Sequence, residues 1–176
     1  TRTIAAKTGY TRDEAEMTFA GFLLFVDPVK ESAAATIDAL RNLGVAIKVV
    51  SGDNRYVTAH LAEAVGLDPR SMLTGEEIAG LKDEALWNRA PRTDLFVEVD
   101  PQQKDRIVRA LQRSGHSVGY MGDGINDAPS LHAADVGISV DDAVDVARAS
   151  ADIVLLRREL DVLRRGVAGG RRTFAN

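Results

Sequence analysis

The chain has no cysteine among its 176 residues, which excludes disulfides and thiolate metal sites and fits a cytosolic setting. Long apolar runs are also missing. The longest, residues 19–26, falls far short of the roughly 20 residues that cross a bilayer. No signal peptide is visible and the first residue is Thr1 rather than Met, so the chain is expected to be a soluble, excised piece. There is no excess of positive charge. With 22 Lys and Arg against 26 Asp and Glu the net charge is −4, which gives no reason to expect nucleic acid as a partner. Aromatic residues make up 5%, and the single tryptophan, Trp87, reads as packing rather than as a stacking platform. His60, His116 and His132 lack ligand-like spacing and read as structural or surface side chains. Neither an internal repeat nor a low-complexity tract interrupts the sequence.

What is present suits one globular domain with a sizeable core, with 45% hydrophobic and 27% charged residues. Short β-rich runs alternate with helical patterns, which predicts an α/β fold: a three-layer, Rossmann-like arrangement around a mostly parallel sheet. Strands are predicted at 19–26, 45–50, 95–99, 117–120, 136–140 and 153–156. Helices are predicted at 30–43, 56–65, 101–114 and 143–149, and from 160 toward the end. Gly44 and Gly66 stand where the first two helices should stop. Pro101 opens the third at a favoured early position. Residues 67–92 are the least regular and predict a peripheral region, whereas residues 1–16 read as a solvated linker or the remnant of a preceding domain.

The most informative stretch is Met121-Gly122-Asp123-Gly124-Ile125-Asn126-Asp127-Ala128-Pro129. It follows a short apolar run that reads as a buried parallel strand. Glycines on both sides of Asp123 let the backbone turn tightly and approach a ligand. Asp123 and Asp127 have no cationic neighbour in sequence and repel each other unless a hard cation such as Mg²⁺ lies between them. Asn126 adds a neutral donor for a phosphoryl oxygen. Two further clusters are predicted at the carboxyl ends of strands, where open α/β sheets bind ligands. Ser51-Gly52-Asp53 offers a hydroxyl and backbone amides to a phosphoryl group, and Gly52 permits their approach. A helix cap at Ser51 or Asp53 is the plainer alternative. Lys104, early in its helix, can neutralise charge on the same group, or it is simply a solvated charge.

Residues 122–129 match the hinge motif of P-type cation-transporting ATPases, which belong to the haloacid dehalogenase-like superfamily, and the chain resembles that family from about residue 17 onward. The resemblance takes in Asp27-Pro28-Val29-Lys30-Glu31, Ser51-Gly52-Asp53, Pro101-Gln102-Gln103-Lys104, residues 130–140 and 149–156, and the terminal Gly170-Arg171-Arg172-Thr173-Phe174-Ala175-Asn176. Residues 115–121 and 137–141 look most like the magnesium-transporting subgroup. Two departures stand out: Ser51 replaces the usual threonine but keeps its hydroxyl, and Val29 replaces a second proline.

The resemblance implies the larger, C-terminal part of a pump's phosphorylation domain (residues 17–176), with Asp123 and Asp127 binding Mg²⁺. Lys104, Ser51, Gly52, Asp53 and Asn126 would stabilise phosphoryl transfer. The phosphorylated aspartate of the family's Asp-Lys-Thr-Gly-Thr motif is missing, since Lys7-Thr8-Gly9 is preceded by Ala6 and followed by Tyr10. The nucleotide-binding domain that holds ATP is missing as well. The isolated chain is therefore expected to be inactive, with the nucleophile-bearing segment, the nucleotide-binding domain and the membrane helices as its partners. In an intact pump it would lie on the cytoplasmic side of the cell membrane. The basic helix at 160–176 would lead to that membrane, its arginines near anionic lipid. Two alternatives remain open at this stage. A free-standing phosphatase could use Asp27 as nucleophile, although Val29 stands where a proton-donating aspartate would be needed. The chain could also be a non-catalytic Mg²⁺-responsive module.

Overall fold

A computed structural model describes Thr18, Ala20, Gly21 and residues 30–157 and 159–174. Asp27, the strand predicted at 19–26 apart from Ala20 and Gly21, and the linker at 1–16 lie outside the described residues. The first half of the chain runs α1 (Glu31–Asn42), β1 (Val49–Val50), α2 (Arg55–Ala64), β2 (Met72–Thr74), α3 (Gly75–Gly80), α4 (Asp83–Arg89) and β3 (Leu95–Val97). The second half runs α5 (Pro101–Arg113), β4 (Gly119–Met121), α6 (Ala128–Ala133), β5 (Val136–Val140), α7 (Asp145–Ala149), β6 (Ile153–Leu155) and α8 (Asp161–Phe174). Gly44 and Gly66 end α1 and α2 with left-handed backbone, φ +71° and +74°, as their positions predict.

Among the described residues the strands form two three-stranded sheets, ordered β1-β3-β2 and β4-β5-β6. Every pairing is parallel: Val49 lies opposite Leu95, Met72 opposite Leu95, Gly119 opposite Val136 and Ile138 opposite Ile153. The class is thus α/β with parallel sheets and flanking helices. Within residues 67–92, β2 pairs with β3 at the edge of the first sheet and the two short helices α3 and α4 follow it. Leu73, Ile78, Leu86 and Ala90 are fully buried. Trp87 packs against the same core.

Helix α5 has a strongly amphipathic sequence and serves both sheets. Ile107, Ala110 and Leu111 enter the core of the first sheet, and Val108 enters that of the second. Its start is fixed by a reciprocal cap. The Asp100 carboxylate accepts from the Gln103 amide at 2.8 Å, and the Gln103 side chain accepts from the Asp100 N–H at 3.0 Å. Pro101 sits in the first turn, where its missing N–H costs nothing. Lys104 thereby stands one turn into a helix anchored in both cores. Helix α8 leans on α1, and Arg171 donates to the Leu43 carbonyl.

Candidate phosphoryl and metal site

Strand β4 ends at Met121 and delivers Gly122-Asp123-Gly124 into a turn, followed by one 3₁₀ turn at Ile125–Asp127 and then α6. Three hydrogen bonds pin this turn. Gly122 N–H donates to the Ile138 carbonyl at 3.1 Å, Ser139 Oγ donates to the Gly122 carbonyl at 2.9 Å, and Val144 N–H donates to the Asp123 carbonyl at 3.1 Å. No room is left for a side chain at position 122: a β-carbon there would lie 2.5 Å from Asp127 Cβ. Glycine is required for Asp127 to fold back against the strand end.

Asp127 is the best-connected side chain of the site. Its Oδ1 accepts from Lys104 Nζ at 2.8 Å and from the Tyr120 hydroxyl at 2.9 Å, while Oδ2 accepts from Gly124 N–H at 3.1 Å. The Lys104 and Asp127 side chains are only 13% and 14% exposed. Burial pushes the Asp127 carboxyl up, yet the hydrogen bond and charge of Lys104, helped by Tyr120 and Gly124, hold it below the ordinary carboxylate range. Asp127 therefore does have a cationic neighbour, supplied from 23 residues upstream by the fold rather than by local sequence.

Asp123 is exposed. With Met121, Gly122, Val140 and Leu155 it lines a cleft of about 330 Å³, at the carboxyl ends of β4, β5 and β6. Asn126 is exposed on the adjoining 3₁₀ turn. Among the described residues no group of three or more His, Asp or Glu side chains is gathered as a metal cage. Mg²⁺ commonly takes one or two protein carboxylates and keeps waters or phosphate oxygens as its other ligands. Exposed Asp123 fits that pattern, and Oδ2 of Asp127 keeps one lone pair for it.

Ser51-Gly52-Asp53 follows β1, as predicted. Ser51 Oγ donates to Asp53 Oδ2 at 2.8 Å and accepts from Asp53 N–H at 3.1 Å. The cap of α2 is neither of these residues but Asn54, whose side chain accepts from Tyr56 N–H at 2.9 Å. Gly52 lies against the Val99 carbonyl, 3.3 Å from where a β-carbon would be. The loop is tied to the start of α5 by Val99 N–H donating to the Ser51 carbonyl at 3.2 Å.

The family model for haloacid dehalogenase-like hydrolases matches residues 3–135. The chain belongs to this family. It is 49% identical over its whole length to the magnesium-transporting ATPase, P-type 1, of Salmonella typhimurium (strain 14028s / SGSC 2262), and equally to that of Escherichia coli (strain K12), covering 20% of each. A putative cation-transporting ATPase of Methanocaldococcus jannaschii is 38% identical over 89% of the chain. The chain thus spans about a fifth of the length of these curated relatives. Among solved structures, a zinc-transporting PIB-type ATPase in the E2.Pi state superposes on 85% of the chain and 20% of its own, with a TM-score of 0.67 and 28% identity. The catalytic domain of a CPx-ATPase, at 24% identity and a TM-score of 0.60, shows the likeness of fold.

Sequence reasoning missed one partner at the centre of this haloacid dehalogenase-like site. Tyr120 lies in the apolar run read as plain strand, and its ring enters the core of the second sheet while its hydroxyl reaches Asp127. Burial first, then the Asp127 charge, raises the Tyr120 pKa well above the ordinary phenol value, so the hydroxyl stays a donor throughout the physiological range. The Ser130 hydroxyl nearby is fully buried. Tyr120→Phe keeps the ring and deletes one charge-assisted hydrogen bond. A stability loss of about 1–2 kcal/mol is expected in urea unfolding at pH 7. An unchanged midpoint would show that Lys104 and the Gly124 amide hold Asp127 without help from Tyr120.

Proposed function

We propose that this chain is the larger, C-terminal part of the cytoplasmic phosphorylation domain of an ATP-driven cation pump, with magnesium as the transported ion. The observation that carries the reading is the part-buried Lys104–Asp127 pair at 2.8 Å beside the Gly122 turn. It sets a cation and a carboxylate together where parallel strands end. The likeness to magnesium-transporting ATPases supports the choice of ion.

Asp123 would hold Mg²⁺ directly, with Asp127 contributing through Oδ2. Once bound, the ion would neutralise phosphoryl oxygens and orient them for in-line displacement. Lys104 would place its ammonium against charge developing on the phosphoryl group, kept in position by Asp127. The hydroxyl and amides of Ser51-Gly52-Asp53 would receive phosphoryl oxygens, and the Asn126 amide would add a neutral donor.

The phosphorylated aspartate would come from a segment outside this chain. Among the described residues β1 and β4 are edge strands, and each carries a site loop at its carboxyl end. A parallel strand inserted between them would deliver its terminal carboxylate between the two loops. ATP would be held by a separate nucleotide-binding domain. No helix among the described residues is long and apolar enough to cross a membrane, so transport would use membrane helices elsewhere in the pump. Exposed Arg171 and Arg172 near the end of α8 would face anionic lipid.

Supplying the Asp-Lys-Thr-Gly-Thr segment tests this. Mg²⁺-dependent, hydroxylamine-sensitive phosphorylation from inorganic phosphate is expected on the reconstituted pair, lost in Asp123→Asn, and undetectable with the chain alone. Phosphoester hydrolysis by the chain alone, abolished in Asp27→Asn, would replace the pump reading by a phosphatase. Tight Mg²⁺ binding by the chain alone, lost in Asp123→Asn, would point to the non-catalytic module.

A further inference from the structure

Glu98, between β3 and α5, is the one non-glycine residue with left-handed backbone among the described residues, at φ +56°. Such a conformation persists where its surroundings over-determine it. Here they do so from three directions. The Glu98 carboxylate receives a fork from Arg55, Nε to Oε1 at 3.1 Å and Nη2 to Oε2 at 2.7 Å, and also accepts the Arg55 backbone N–H at 3.1 Å. The Glu98 N–H donates to the Asp53 carbonyl at 3.1 Å. Its own carbonyl fills the space of a β-carbon at Gly75, 2.3 Å from that position.

These bonds join the two halves of the candidate site. On one side lies the Ser51-Gly52-Asp53 loop with α2 behind it. The first turn of α2 has no acidic residue of its own, and the Glu98 carboxylate supplies the negative charge that this helix start favours. On the other side Val99 and Asp100 lead into the cap of α5 and so to Lys104. The Arg55 and Glu98 side chains are 42% and 31% exposed. A pair so open to solvent adds little to global stability, whereas its bidentate fork is strongly directional.

We propose that Arg55 and Glu98 are a positioning pair, which locks the Ser51 loop to the start of α5 and so fixes the Ser51 hydroxyl relative to Lys104. The functional part of this rests on Ser51 and Lys104 being phosphoryl-binding groups. The locking itself does not.

The test uses the full 176-residue chain with Arg55→Ala and Glu98→Gly, glycine being the residue that relieves the left-handed backbone while deleting the carboxylate. Amide hydrogen exchange at residues 98 and 99 is expected to quicken about tenfold in both variants, with α5 amides at 107 and 108 and the melting temperature unchanged. Glu98→Gln, which keeps an acceptor for Arg55, should fall between them and the parent. Unaltered exchange at 98 and 99 would overturn the proposal. So would faster exchange throughout with a lower melting temperature, the mark of a merely structural role. A parallel titration with inorganic phosphate, followed by the amide signals of 51–53, should weaken about tenfold in both variants. Equal affinity in parent and variants would sink the positioning role. Failure of the parent to bind phosphate would sink the reading of Ser51 and Lys104, while the exchange data still decide the lock.

Discussion

Lys104→Ala is expected to cost this domain about 2–3 kcal/mol at pH 7, because it strands a carboxylate that is only 14% exposed. The pair sits near, not at, the fully buried limit, hence a figure below the largest losses seen for buried ion pairs. The pH dependence has a definite sign. The folded pKa of Asp127 is depressed chiefly by Lys104, acting against burial, so the pair's contribution is present above the unfolded aspartate value of about 3.9. It is lost as pH falls through the folded value. In the variant, burial acts unopposed by the ammonium and Asp127 takes up a proton more readily. The gap between parent and variant should therefore be widest well above the ordinary carboxylate value and narrow as pH falls below it. Adding Asp127→Asn should recover much of the loss, since the two residues share one interaction. Urea unfolding across this range measures both. A pH-independent gap would show that Lys104 acts by packing rather than by charge.

Gly122→Ala is the second large effect. The added β-carbon would come within 2.5 Å of Asp127 Cβ and 2.7 Å of its Cγ. Asp127 cannot swing aside without leaving Lys104, Tyr120 and the Gly124 amide. Either the turn opens or the ion pair breaks, and a loss of about 2–3 kcal/mol follows. The decisive readout is the Asp127 carboxyl itself, whose pKa should rise when the pair parts, as carbon-detected NMR would show. The same change at Gly166 in α8 provides the control, since nothing lies within 4 Å of a β-carbon there. In a helix interior that substitution should stabilise by about 0.5–1 kcal/mol. If both substitutions proved neutral, the tight turn at Gly122 would be wrong.

These contrasts show what could be read from the sequence. Helix ends at Gly44 and Gly66 and the parallel strands announce themselves through local chemistry. The glycine-flanked turn, Ser51 after its strand and Lys104 early in its helix were all visible for the same reason. What escaped is non-local. Lys104 reaches Asp127 across 23 residues and Arg55 reaches Glu98 across 43, and no period or spacing encodes such meetings. Tyr120 was hidden differently, because its ring satisfies the apolar pattern of a strand while its hydroxyl serves the site. Strand β2 was missed because Met72-Leu73-Thr74 has a single β-branched residue and no flanking apolar run, unlike the Val- and Ile-rich runs at β1 and β5.

The double attachment of α5 also governs how the domain comes apart. Ile107, Ala110 and Leu111 of this helix pack into the core beside β3 and Val108 packs into the core beside β4, so lifting α5 away would open both cores at once. The second sheet is also covered by Leu131 of α6, Ala147 of α7 and Val162 and Leu163 of α8, so a cut in the 114–118 link would leave it those helices and, among the helices that cover it, separate it in sequence only from α5. Lys104 is thus carried on a helix whose displacement would disturb both cores together.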